Sequence, residues 1–138
     1  MFFNKLLSVR RISFMVLFVF LSIPVFSQED WQGRTLYSAV DTMPSFENGE
    51  RGLMEYLSKN IKYPTKAREK GIMGTVIASY IIDENGQVLE PVIKSGIGYG
   101  CDEEVLRIIR EMPEKWNPGI KNGKRVPVRM TLPVKFRL

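Results

Sequence analysis

Val126-Pro127-Val128-Arg129-Met130-Thr131-Leu132-Pro133-Val134-Lys135-Phe136-Arg137-Leu138 closes the chain with an unbroken two-residue period. Each even-numbered position is apolar, and Pro127, Arg129, Thr131, Pro133, Lys135 and Arg137 fill the gaps. Such alternation predicts a β-strand over residues 126–138 with one buried face and one wet face. The prolines add a second constraint. Successive residues of a strand direct their backbone groups to opposite edges, so Pro127 and Pro133, sharing a phase, remove two N–H groups from the same edge. Prolines inside sheets are confined to open edges, strand ends or bulges. An edge strand is therefore expected.

Working back from that strand, Lys121-Asn122-Gly123 and Trp116-Asn117-Pro118-Gly119 read as turns. Before them, Val105, Leu106, Ile108, Ile109 and Met112 form the apolar stripe of a helix limited by Pro113. Asp102, Glu103 and Glu104 crowd its first turn, where the helix dipole favours negative charge. Gly96, Gly98 and Gly100 make a flexible loop ahead of it. Residues 75–82 read as a strand with Val76, Ala78, Tyr80 and Ile82 in one phase, and residues 87–95 as its return. Between them, Asp83-Glu84-Asn85-Gly86 carries an Asn-Gly pair suited to the positive φ of a tight hairpin. Upstream, Leu53, Met54, Leu57 and Ile61 recur at helical spacing, opened by Asn48 or Glu50 and stopped by Pro64. A short helical turn over residues 65–70 then ends at Gly71. The order helix, hairpin, helix, strand predicts an α+β fold: a two-layer domain with a three-stranded antiparallel sheet and helices packed on one face.

The chain has 138 residues, which sets one domain as the default. Its first 27 residues read as a secretory signal peptide: Lys5, Arg10 and Arg11, then an uncharged apolar run over residues 12–26, then Ser27. The other reading is an uncleaved membrane anchor, although fifteen helical residues span about 22 Å against a hydrocarbon core of about 30 Å. Residues 28–45 are weakly patterned and read as a lead-in or tether, leaving 46–138 as the folded domain. Three of the twenty basic residues lie in the leading segment, so 17 remain against 15 acidic ones. That balance does not point to nucleic acid, because most of the excess charge belongs to the export signal.

The chemistry is narrowed by what is missing. The chain has no histidine, which excludes Ser-His-Asp and Cys-His catalysis and any His-based metal site. Cys101 is the sole cysteine, so no internal disulfide forms. The three acids that follow it oppose a thiolate, and it reads as a small apolar packing residue. The glycine loop lacks the Gly-Lys-Ser/Thr ending of a P-loop and fits no dinucleotide spacing. Tyr99 and Trp116 read as packing aromatics, since no basic stripe interleaves them. No catalytic, cofactor or metal residues are expected. Arg129, Lys135 and Arg137 leave two readings open: charges on a wet face that discourage aggregation, or the flank of an edge that docks an extended peptide.

Residues 46–138 resemble the TonB C-terminal domain family. The resemblance rests on Tyr63-Pro64 with Ala67-Arg68 and Gly74-Thr75-Val76, the turn from Asp83 to Val88, and the helix from Asp102 to Met112. It continues through Pro113 and Trp116-Asn117-Pro118-Gly119, and through Asn122-Gly123-Lys124 into Val126-Pro127-Val128. Met43-Pro44-Ser45-Phe46 followed by Gly49 looks like the variant common in Bacteroidetes. The resemblance implies β-augmentation: the last strand would pair with the Ton box, a short extended segment of a TonB-dependent outer-membrane receptor or another envelope protein. It implies partner contacts at Asn60, Tyr63, Pro64, Arg129, Thr131, Lys135 and Arg137, although Asn60-Ile61-Lys62 lacks the glutamines of the best-known members. It implies a periplasmic location, or an inner-membrane one with a single N-terminal anchor.

Full transducers resemble an anchor, a long Pro-rich spacer and this domain in series. Here about 20 residues separate the apolar segment from the domain, reaching about 70 Å at ~3.4 Å each. Peptide docking is therefore expected first. An anchored energy transducer working with inner-membrane motor proteins, and a structural or regulatory envelope protein, including a homodimer through paired edges, are the alternatives. Mass spectrometry of the native protein is expected to find Gln28 at the N-terminus, whereas an intact Met1 end would support the anchored reading.

Overall fold

The final strand settles against a single neighbour in the computed structural model, which describes residues 29–114 and 116–138. In chain order the elements are β1 (Glu29–Trp31), β2 (Arg34–Leu36), β3 (Ser45–Phe46), α1 (Gly49–Asn60), α2 (Thr65–Glu69), β4 (Gly74–Ile82) and β5 (Val88–Ser95), continuing with α3 (Cys101–Arg110), β6 (Trp116–Asn117), β7 (Gly119–Lys121), β8 (Lys124–Val126) and β9 (Val128–Phe136). The main sheet has the order β5-β4-β9 and is antiparallel throughout. This is the expected α+β arrangement of helices on a three-stranded sheet.

The sheet's helix-covered face is built from Val76, Ala78, Tyr80 and Ile82 of β4 and Leu132, Val134 and Phe136 of β9. Against it pack Leu57 of α1, Ala67 of α2, and Cys101, Val105, Ile108 and Ile109 of α3. Each fully buried aliphatic side chain of this kind contributes about 1.5–3 kcal/mol of transfer free energy. Phe46 and Trp116 close one end, with ring centroids 5.4 Å apart and Trp116 5.8 Å from Tyr80.

Several expectations are corrected. Residues 28–45 do not form a loose tether over their described part: β1 and β2 make a hairpin whose Trp31 and Leu36 bury against Ile81 and Leu89. That hairpin covers part of the sheet's second face, which is why Ile81 is buried although it is out of phase with Tyr80 and Ile82. Trp116-Asn117 is strand, paired with Ser45 and Phe46. Met54 is 56% exposed, and Tyr56 takes its place against the core, its hydroxyl donating to the Ile108 carbonyl at 2.9 Å. The last strand is shorter than 126–138. Val126 pairs with Gly119 in the separate β7-β8 hairpin, Pro127 interrupts, and Leu138 is 65% exposed.

The two Asn-Gly pairs exchange roles. At Asn122-Gly123 both residues take positive φ and form the two-residue loop between Lys121 and Lys124, the geometry of a primed hairpin turn. At Asn85-Gly86 only Gly86 does. There the Asp83 carboxylate accepts from the Asn85 and Gln87 amides, both at 2.9 Å, and holds a wider turn. Gly86 also lies against Trp116: a Cβ there would sit 2.2 Å from the Trp116 carbonyl oxygen, while one on Gly123 would meet nothing within 4 Å. Gly86→Ala is accordingly expected to cost about 3 kcal/mol, from left-handed strain plus overpacking. Gly123→Ala should cost about 1 kcal/mol from strain alone. Urea denaturation of the two variants distinguishes them.

Candidate functional site

β9 pairs with β4 residue for residue, from Gly74 opposite Phe136 to Ile82 opposite Val128, with no register shift. In such a ladder alternate residues turn their N–H and C=O groups outward. The outward set is identified by Arg129, whose N–H donates to the Tyr37 carbonyl at 2.8 Å, away from β4. Thr131, Pro133 and Lys135 share that phase. Pro133 therefore costs the ladder with β4 nothing, because its missing donor would have pointed away from it.

The other edge of the sheet is of a different kind. The β4-β5 ladder shifts register twice, Glu90 has φ +49°, and Pro91 sits within β5. Bulges and prolines of this sort blunt an edge against strand addition. β9 is the regular edge.

Part of that regular edge is already occupied. The Tyr37 N–H donates to the Pro127 carbonyl at 3.1 Å and its carbonyl accepts from Arg129, so Tyr37 lies parallel to β9 beside Val128. The Arg129 guanidinium also meets the Glu29 carboxylate at 2.6 Å. Both partners are partly exposed, which limits such a pair to about 0–1 kcal/mol. Beyond Arg129 no described residue pairs with the outward edge. Thr131, Lys135 and Arg137 are exposed, and neither Lys135 nor Arg137 has a carboxylate partner among the described residues.

The seven candidate residues thus fall in two places. Arg129, Thr131, Lys135 and Arg137 follow β9. Asn60, Tyr63 and Pro64 lie in the joint between α1 and α2. Asn60 donates through Nδ2 to the Tyr56 carbonyl at 2.7 Å, and its own carbonyl accepts from Arg107 at 2.9 Å. The Tyr63 hydroxyl donates to the Ile72 carbonyl, and its ring stands edge-on to Phe136 at 5.5 Å. Pro64 lies under Gly100, where a Cβ would approach it to 3.2 Å. These three residues brace the helix layer, and Tyr63 meets β9 at Phe136. Glu29 and Tyr37 were not legible as edge residues, because each meets β9 from about ninety residues or more away in the chain.

The residues around the glycine loop are accounted for by local bonding. The Asp102 carboxylate accepts from the amides of Ile97 and Gly98, and a Cβ on Gly96 would collide with it at 2.2 Å. Those amides are not presented to a phosphate. Cys101 is fully buried, and burial followed by the charges of Asp102 and Glu103 pushes its thiol pKa up. Among the described residues no group of three or more potential ligands could hold a metal ion, and no helix is long and apolar enough to cross a membrane.

These features define a small α+β domain whose last strand is a regular, part-open sheet edge. The chain belongs to the TonB C-terminal family: the model of the Gram-negative bacterial TonB protein C-terminal matches residues 59–138. Proteins of this family are binding proteins and energy transducers, not enzymes, and the domain is a periplasmic one. Protein TonB of Vibrio cholerae serotype O1 is 32% identical over 78 residues, which are 56% of this chain and 31% of that protein. The chain therefore spans under a third of that relative. The solution structure of the Pseudomonas aeruginosa TonB CTD matches with 22% identity and a TM-score of 0.45, over 56% of this chain and 78% of that one. The Helicobacter pylori TonB-CTD matches with 22% identity and a TM-score of 0.46, over 62% and 89%.

One ionic cluster ties the joint before Tyr63 to α3. Glu104 accepts from the Lys62 amide at 2.7 Å and from the Arg107 guanidinium at 2.7 and 2.9 Å. The Arg107 bonds above all, then the Lys62 amide, hold its carboxyl below the usual 4.5 against the opposing effect of burial. A depressed carboxyl contributes stability that is complete above the unfolded value and lost as pH falls through the folded one. Glu104→Gln should thus cost about 1.5 kcal/mol at pH 7, with the gap to the native protein closing as pH falls from the usual 4.5 through the depressed folded value, as read by urea denaturation across that range.

Proposed function

We propose that this chain is a periplasmic binding module that docks an extended peptide, the Ton box of a TonB-dependent outer-membrane receptor, along the outward edge of β9. It would thereby take a TonB-like part in outer-membrane transport. The observation that carries the reading is the row of outward backbone groups from Thr131 onward, on a strand whose ladder to β4 has no shift. Backbone pairing of this kind supplies affinity without demanding a particular side-chain sequence. Thr131 and Lys135 offer outward donors where Pro133 offers none. Net gains of about 0.5–1.5 kcal/mol per bond on so short a track suit a transient contact, with Kd between roughly 1 mM and 1 μM.

The test combines titration with one substitution. Ton-box peptides from the receptors of the same cell are added to isotope-labelled protein, and amide shifts along β9 are followed. Shifts are expected along β9 with at least one peptide, and flat spectra with every candidate would sink the reading. Thr131→Pro removes an outward donor and no bond to β4, since Thr131 has the same phase as the tolerated Pro133. The variant should keep its unfolding free energy to within about 1 kcal/mol and lose the peptide-induced shifts.

A further inference from the structure

Resting on the docking reading, we infer that the chain's own Tyr37 sets where a partner strand begins, confining it to residues 131–137, and that the partner there carries carboxylates. Tyr37 is a tethered occupant. Just before it Leu36 is buried against the sheet, and five residues after it Thr42 and Ile120 exchange two backbone bonds, at 2.9 and 3.0 Å. A segment anchored on both sides competes at high effective concentration with anything in solution. A partner that displaced Tyr37 would give up two N–H···O bonds to make two of the same kind, and would also break the Arg129–Glu29 pair. The open track past Arg129 requires no such exchange.

Charge selects the partner. Arg129 is neutralised by Glu29, whereas Lys135 and Arg137 have no ion pair among the described residues. They stand two apart in sequence, about 6.6 Å along an extended chain, which matches carboxylates on alternate residues of a partner strand. At this end of the sheet lies a shallow depression of about 330 Å³, lined by Met73, Thr75, Phe136 and the two cations, with Met73 60% exposed. It offers an apolar contact beside the charges. The segment that fits is short, extended and acidic, with an apolar residue next to an acid. A basic segment is disfavoured by like charge.

The first test needs no ligand. In the free protein the Arg129 amide should exchange slowly with solvent and the Thr131 and Lys135 amides quickly; equal exchange at Arg129 and Thr131 would overturn the inference. The second uses an end-capped hexapeptide of alternating valine and aspartate, with its asparagine counterpart. Shifts are expected within residues 131–137, without movement of Arg129 or Tyr37, and about fivefold weaker binding of the asparagine peptide. In Tyr37→Pro, which lacks the donor to Pro127, the footprint should extend back to Arg129. A native footprint that already includes Arg129, or equal affinity for both peptides, overturns this inference and leaves edge docking standing. No shift with these peptides or with any Ton-box peptide removes both.

Discussion

A proline has no amide hydrogen to give, and the placing of Pro127 and Pro133 in one phase constrains the whole sheet. Had β9 slipped by one residue, Pro133 would face β4 and forfeit a ladder bond, and the apolar row from Val128 to Phe136 would turn to water. Backbone pairing and side-chain burial therefore select the same register. With β9 fixed as an edge, β4 becomes the central strand, β5 the far edge, and Val76, Ala78, Tyr80 and Ile82 the floor on which the helices pack.

The two edges that result are handled differently. β5 is broken by two register shifts and by Pro91, which leaves no long flat row for a neighbour. β9 stays regular, and its protection is shared between Pro133 and a segment from the opposite end of the chain. Tyr37 covers the start and leaves the remainder open. A regular edge that is covered over part of its length leaves a bounded rather than a continuous row of outward backbone groups. In the TonB C-terminal family, to which the chain belongs, that surface is the natural place to look for a partner.

The residues between α1 and α2 form a structural joint. Tyr63 presses edge-on against Phe136, Pro64 lies under Gly100, and Lys62 gives its amide to Glu104. Through these contacts the joint locks the helix layer to the end of β9. A change there would reach the edge through Phe136.

Local chemistry was enough to establish most of the architecture. Alternation over residues 126–138 and the proline phase gave an edge strand, and 3.6-residue periodicity placed the helices, including the buried Val105, Ile108 and Ile109 of α3. Boundaries were less legible, because Leu138 continues the period after the supporting strand has ended, and Val126 continues it before Pro127 breaks the pairing. Asn85-Gly86 and Asn122-Gly123 look alike as dipeptides; the Asp83 carboxylate, accepting from two amides, holds one as a wider turn, whereas the other closes as a two-residue loop. The sequence by itself determined that β9 is an edge, since a missing N–H is a property of the residue wherever it sits. Only the tertiary structure decided how much of that edge is free, because the bonds from Tyr37 and the Glu29 carboxylate arrive from segments about ninety residues or more away and leave no periodic or compositional trace.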